Sequence, residues 1–117
     1  MGELPPQVQN MIAQLQTVQQ QLQMVVSQKV QLESALKEIE NAIQEVEKAG
    51  EDTPIYKSVG TVLVKTKRDD ILKELNEKKE TIEVRIRALS RQEEKLRERL
   101  QELQNKVKSM LSGVQAG

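Results

Sequence analysis

Apolar side chains recur every seven residues along two long stretches of the chain, and this period constrains the fold more than any other feature. The first stretch begins at Val8 and is interrupted only by Lys29. The second begins at Leu72 and is interrupted by Lys79 and Glu93. A mean period of 3.5 residues is typical of the contact seam of a coiled coil. The pattern therefore predicts two long helices that pack along an apolar seam.

A short segment of different chemistry separates the two predicted helices. Residues 54–65 are rich in β-branched side chains and are broken by Gly60 and Thr61. A glycine followed by another residue suits a two-residue type II′ turn, so the segment predicts a β-hairpin. An isolated two-stranded hairpin is marginal in water, and Tyr56 is the only aromatic residue of the chain. We therefore expect the hairpin to require other chains.

Residues that commonly begin and end helices flank both stretches. A proline pair precedes the first stretch and Gly50 follows it, whereas Thr66 and Asp69 form a capping box before the second and Gly113 follows it. We expect one structural unit over residues 1–117, with a helix over about 5–49, a β-hairpin over about 54–66 and a helix over about 67–112.

Two helices of similar length joined by a short hairpin are expected to fold back on each other. If the numbers of facing residues sum to 118, apolar residues oppose each other in nearly every layer of the seam. In that register Lys29 and Glu93 occupy adjacent layers, so we predict an ion pair between them. The expected fold class is mainly α, a long antiparallel two-helix coiled coil joined by a single β-hairpin.

The composition argues against catalysis. The chain has no His and no Cys, which removes the usual zinc ligands, the thiol nucleophile and the imidazole base. It also lacks a glycine-rich phosphate-binding loop, and its 18 basic residues are balanced by 18 acidic ones. We predict that the protein is not an enzyme and binds no cofactor, metal or nucleic acid. We also expect it to be neither exported nor membrane-bound, and to be cytoplasmic.

The apolar stripe widens near both ends of the chain. Ile12 lies beside Met11, Leu111 lies beside Met110, and Val114 follows. Such a patch can bind exposed apolar side chains of unfolded polypeptides, and methionine adapts to many shapes. The alternative is that these residues only close the end of the coiled coil.

The string Tyr-Lys-Ser-Val-Gly-Thr-Val-Leu-Val-Lys at residues 56–65, set between two long heptad helices, resembles the beta-type subunit of archaeal prefoldin. The resemblance covers essentially the whole chain. It implies an ATP-independent chaperone subunit in a hexamer of alpha-type and beta-type subunits, whose hairpins join into a β-barrel platform. It further implies that the coiled-coil tips hold non-native polypeptides and deliver them to a group II chaperonin.

Carried over by position, the resemblance implies two groups of site residues. The residues expected to bind clients at the tips are Leu4, Val8, Met11, Ile12, Val107, Met110, Leu111 and Val114. The residues expected to direct assembly through the hairpin are Tyr56, Val59, Gly60, Val62, Leu63 and Val64.

Two other functions fit parts of the sequence. The chain could be a structural or adaptor coiled coil that oligomerises through its hairpin and has one defined partner. It could also be an antiparallel arm that binds RNA, although the interleaved acidic and basic residues of the second helix count against a strong phosphate-binding field.

Overall fold

The computed structural model describes the backbone of residues 4–116 and the side chains of residues 4–113. The four elements, in chain order, are α1 (Pro6–Lys48), β1 (Ile55–Val59), β2 (Val62–Thr66) and α2 (Arg68–Ala116). This helix–hairpin–helix order confirms the predicted mainly α fold class.

The helix α1 begins and ends within one residue of the predicted bounds, but its end is capped differently. Its first residue is Pro6, where a missing N–H does not remove a helical hydrogen bond. Gly50 was expected to end it in the left-handed conformation, yet among the described residues only Gly60 has a positive φ. The guanidinium of Arg68 instead donates to the carbonyl oxygens of Glu47 (2.9 Å) and Ala49 (2.8 Å). A cationic side chain therefore satisfies carbonyls of the last turn.

The helix α2 begins within one residue of its predicted start, but the predicted cap and the predicted stop are not formed. Thr66 is the last residue of β2 rather than the cap of α2, and its hydroxyl lies 3.5 Å from the Lys67 carbonyl oxygen. Gly113 does not end the helix, which continues to Ala116. A glycine within a helix is disfavoured by only about 1 kcal/mol relative to alanine. Without a left-handed turn to stop it, the helix continues.

The strands β1 and β2 pair in antiparallel fashion, with Val59 opposite Val62, so that Gly60 and Thr61 form a two-residue turn. Gly60 has a φ of 59°, and no described non-glycine residue has a positive φ. A positive φ at the first turn residue alone is the pattern of a type II′ turn. The structure thus confirms the predicted hairpin and its turn.

The chain divides into two compact units. The terminal unit contains Met1–Lys29 and Ala88–Gly117, and the hairpin unit contains Val30–Arg87. All of the buried apolar residues that are described belong to the predicted heptad series. In the terminal unit they are Val8, Val18, Leu22, Val25 and Leu103, and in the hairpin unit Ile43.

A polar layer interrupts the apolar seam of the terminal unit. The ammonium of Lys29 lies 3.2 Å from Glu93 Oε1, which confirms the predicted ion pair. The other carboxylate oxygen of Glu93 accepts a 2.9 Å hydrogen bond from Arg97, one turn along α2. These contacts, first with Arg97 and then with Lys29, lower the pKa of the Glu93 carboxyl from its usual value, although partial burial opposes the shift.

The lowered pKa of Glu93 predicts how the stability of the chain depends on pH. An acid whose pKa is lower in the folded state stabilises it above its unfolded pKa, about 4.3 for Glu. This contribution is lost as the pH falls through the folded pKa. We expect Glu93→Gln to lower the thermal midpoint by a few degrees at pH 7, and the difference from the parent to shrink near pH 3.

The matched control is Glu94→Gln, because Glu94 is exposed and forms no ion pair among the described side chains. Its thermal midpoint, followed by circular dichroism, should equal that of the parent at pH 7. Equal midpoints for Glu93→Gln and the parent at pH 7 would contradict a stabilising role of the polar layer.

Candidate assembly and client-binding surfaces

The register of the hairpin assigns its apolar residues to two faces. Directly opposed residues of an antiparallel pair share a face, and successive residues of a strand alternate between faces. The pairing places Val59, Val62 and Val64 on one face, called the valine face, together with Ile55, Lys57 and Thr66. The other face, called the tyrosine face, carries Tyr56, Ser58, Leu63 and Lys65. Tyr56 and the valines therefore lie on opposite faces.

Both faces of the hairpin expose apolar side chains. On the tyrosine face, Tyr56 and Leu63 are 56% and 70% exposed. On the valine face, Val59, Val62 and Val64 are all at least 44% exposed. The described sheet has only these two strands, so each strand has an outer edge without a strand partner. Exposed apolar faces and open strand edges are features that pair with other chains.

The base of the hairpin, in contrast, is attached to the helices. Ile55, Lys57 and Thr66 are half-buried. The ammonium of Lys57 lies 3.5 Å from Glu74 Oε2 in α2. Arg68, which follows β2 by two positions, bonds to the end of α1 as described above. The hairpin is therefore held at its base and uncovered toward its turn.

Sequence reasoning missed Arg68, although a signal for it was present. In the predicted register with facing numbers summing to 118, residue 68 faces residue 50, just beyond the end of α1. Cations are favourable near the C-terminus of a helix, where carbonyl groups lack intrahelical partners. An arginine at this register position therefore indicates a side-chain cap.

The predicted client-binding residues differ in exposure. Leu4 is 41% exposed, whereas Val8 is only 1% exposed and packs within the seam. Burial of Val8 in the seam leaves it no free surface for a client. The other described members of the group, all half-buried, are Met11, Ile12, Val107, Met110 and Leu111. The side chain of Val114 lies outside those described.

A shallow groove in the terminal unit brings together two of the predicted tip residues. Met11 of α1 and Met110 of α2 line it with Asn105, Lys106 and Ser109, and its volume is about 270 Å³. Methionine side chains are flexible and polarizable, so the groove can accept side chains of different shapes. Ile12 and Leu111 do not line this groove.

A second groove of the terminal unit contains a residue that sequence reasoning did not select. Met24 is 62% exposed and lines a groove of about 390 Å³ with Val25 and Leu96. Its other lining residues are Gln21, Gln28, Gln92 and Lys95. Met24 lies outside the heptad series, so an apolar residue at a position that the seam does not need is the signal that could have revealed it.

Two kinds of feature are absent from the part of the chain that the structure describes. No helix within it has a stretch that is both long and apolar enough to span a bilayer. Its carboxylates also form no group of three or more suited to holding a metal ion.

The helix–hairpin–helix order and the uncovered hairpin define the structural class of this chain, two long helices joined by a β-hairpin. Comparison with known proteins identifies its family. The model of the prefoldin subunit family matches residues 9–113. The chain therefore belongs to the prefoldin subunit family, a family of chaperone subunits. The resemblance seen in the sequence is confirmed.

Individual relatives show which type of prefoldin subunit the chain is similar to. Prefoldin subunit beta of Archaeoglobus fulgidus is 58% identical over 112 residues, which cover 96% of this chain and 97% of that protein. Prefoldin subunit beta of Thermococcus gammatolerans is 50% identical over 117 residues, which cover both chains completely.

Solved structures give the same result. The crystal structure of the prefoldin beta subunit from Thermococcus strain KS-1 is 50% identical and superposes with a TM-score of 0.86, covering 93% of this chain and 96% of that one. The prefoldin beta2 subunit of the same strain, at 21% identity and a TM-score of 0.70, supports the fold alone.

The exposed valine face leads to a prediction about assembly. Val62→Asp with Val64→Asp places two charges where the hairpin would be buried against other chains, and burying an unpaired charge is strongly unfavourable. We expect this variant to sediment as monomers or dimers in ultracentrifugation while its helical circular dichroism stays close to that of the parent.

A matched control is Val30→Asp with Val84→Asp, which changes two valines outside the hairpin that are 59% and 50% exposed. This control should keep the parent's oligomer mass. A hairpin variant that also keeps the full oligomer mass would contradict assembly through the valine face.

Proposed function

We propose that this chain is a subunit of an archaeal hexameric prefoldin that holds non-native polypeptides without ATP and delivers them to a group II chaperonin. The observation that carries the proposal is the hairpin with exposed apolar residues on both faces, in a chain of the prefoldin subunit family. Burial of these exposed apolar side chains against other subunits favours assembly. In the assembled complex, the terminal unit of each subunit forms one of several arms.

Assembly is the first step of the proposed function. The hairpins of alpha-type subunits and of further copies of this chain cover the valine and tyrosine faces and pair with the open strand edges, forming a β-barrel platform. The residues proposed to form these contacts are Tyr56, Val59, Gly60, Val62, Leu63 and Val64. A closed barrel removes unpaired strand edges, which favours assembly over aggregation.

Client holding is the second step, and the terminal unit is proposed to perform it. Met11, Met110 and the neighbouring Ile12 and Leu111 keep part of their surface exposed. Burial of one such side chain against a client contributes on the order of 1–2 kcal/mol at about 25 cal/mol per Å². Leu4 and Val107 extend the proposed patch, whereas Val8 supports it from within the seam. Val114 is also proposed to bind clients, although its side chain lies outside those described.

Weak contacts at each tip suit a holding chaperone. Several arms in one complex raise the effective concentration of binding sites, so a client remains bound although each contact is weak. The same weakness allows release to a chaperonin without ATP hydrolysis. The proposed partners are therefore alpha-type and beta-type subunits, unfolded polypeptides and a group II chaperonin, and the proposed location is the cytoplasm.

The half-buried apolar residues of the terminal unit lead to a prediction about holding. Ile12→Ser with Leu111→Ser removes two apolar side chains that lie outside the a and d positions of the heptads. We expect the assembled variant to bind an unfolded client about tenfold or more weakly, since each tenfold corresponds to about 1.4 kcal/mol. It should also lose most of its suppression of client aggregation, measured by light scattering, with unchanged oligomer mass.

Val30→Ser with Val84→Ser is the control, because it removes two exposed apolar side chains from the hairpin unit. It should protect unrelated clients as well as the parent does. If the Ile12 and Leu111 variant also protects them fully, the tips are not the holding site. If the parent complex protects no client at all, the chain is a structural or adaptor coiled coil instead.

A further inference from the structure

The connection between the helices and the hairpin contains a polar arrangement that neither the heptads nor the apolar surfaces explain. Arg68 is the first residue of α2, two positions beyond the end of β2. Its side chain is half-buried and reaches back to α1, where one nitrogen lies 2.8 Å from the Ala49 carbonyl oxygen and another 2.9 Å from that of Glu47. The two contacts link residues that are 19 and 21 positions apart.

The geometry of arginine makes this link specific. Its planar guanidinium presents several N–H donors in a fixed fork, so two simultaneous bonds define an orientation as well as a distance. The carbonyls at the end of a helix carry partial negative charge, which favours a cation at this position. Arg68 therefore fixes the start of α2 relative to the end of α1. The hairpin connects these two helix ends, so the same contact restrains its base.

A second contact restrains the hairpin itself. Lys57 belongs to the valine face, and its ammonium lies 3.5 Å from Glu74 Oε2 in the second turn of α2. Both side chains of this pair are about 40% exposed, and Glu74 also lies 3.6 Å from the ammonium of Lys78. Such a pair adds little to global stability. Its effect is directional, because it holds the base of the valine face against α2.

We propose that Arg68 and the Lys57–Glu74 pair are positioning residues for assembly, which orient the hairpin in the free chain before it meets other subunits. The inference rests on the proposed function of the hairpin as the assembly surface. An unrestrained two-stranded hairpin is marginally stable, and ordering it during association lowers the affinity. Orienting it beforehand removes this entropic loss from the association step.

The proposal is tested by measuring association with the alpha-type subunit at equal helicity. Arg68→Gln removes the fork while keeping a long polar side chain, and we expect its dissociation constant for the alpha-type subunit to rise about tenfold or more. Arg68→Lys retains a cation that can bond one carbonyl, so an intermediate value is expected. Lys57→Met should weaken association in the same direction but by less.

Hydrogen exchange in the free subunit separates positioning from general stabilisation. In Arg68→Gln, the amides of residues 55–59 and 62–66 should exchange faster than in the parent, while the amides of the terminal unit and the thermal midpoint remain unchanged. Faster exchange throughout both helices, with a lower midpoint, would mean that Arg68 only stabilises the fold and would overturn the proposal. Were Arg68→Gln not to fold, Arg68→Lys and Lys57→Met would supply the same comparison.

Arg87→Gln is the matched control, because Arg87 is an exposed residue of α2 that forms no ion pair among the described side chains. It should associate as the parent does. Parent-like association of both Arg68→Gln and Lys57→Met would overturn the proposal. The Val62→Asp, Val64→Asp variant in the same titration tests the proposed function separately, since undiminished association of that variant would show that the hairpin is not the assembly surface.

Discussion

The apolar seam between α1 and α2 leaves a single chain without the means to cover its own hairpin. The buried apolar residues that are described all come from the heptad series. The hairpin, with the chain's one aromatic residue, is exposed on both faces. An uncovered two-stranded sheet is marginal in water, so we propose that contacts with other chains supply most of the free energy that stabilises the hairpin. The distribution of the apolar residues thus favours the proposed oligomerisation.

Polar contacts within each unit determine how the helices and strands are aligned with each other. In the terminal unit, Lys29 and Glu93 meet across the seam, and a charged pair at seam positions disfavours shifted registers in which either charge would be buried alone. In the hairpin unit, the type II′ turn fixes which strand residues oppose each other, and Arg68 joins the ends of the two helices. Apolar burial favours association of the helices, whereas these contacts select one arrangement.

The sequence predicted those features that depend on regular spacing or local turn chemistry. Heptads predicted the helices, Gly60 with Thr61 predicted the hairpin turn, and the facing register predicted the Lys29–Glu93 pair. The resemblance to the prefoldin family was likewise recognised from a local feature, the sequence of residues 56–65. Each of these features depends on residues that are close in the sequence or on a spacing that is repeated many times. Such features can be predicted from the sequence without knowledge of tertiary packing.

The helix ends and the exposures were harder to predict, because distant residues decide them. Gly50 looked like a helix stop, yet a side chain 19 positions further along satisfies the carbonyl of Ala49. Val8 was assigned to the client-binding surface, but its exposure depends on how closely the partner helix covers it. Met24 was not predicted as a surface residue of interest, although it is 62% exposed and lines a groove with residues of both helices.

We propose that other subunits complete the hairpin of this chain, and the mass of the intact complex is the decisive measurement. Native mass spectrometry of the chain alone, of an alpha-type prefoldin subunit alone and of their mixture would give the three masses. We expect the mixture to contain a new hetero-oligomer with several copies of this chain. A mixture that shows only the masses of the separate components, across the concentrations at which both are folded, would contradict this proposal.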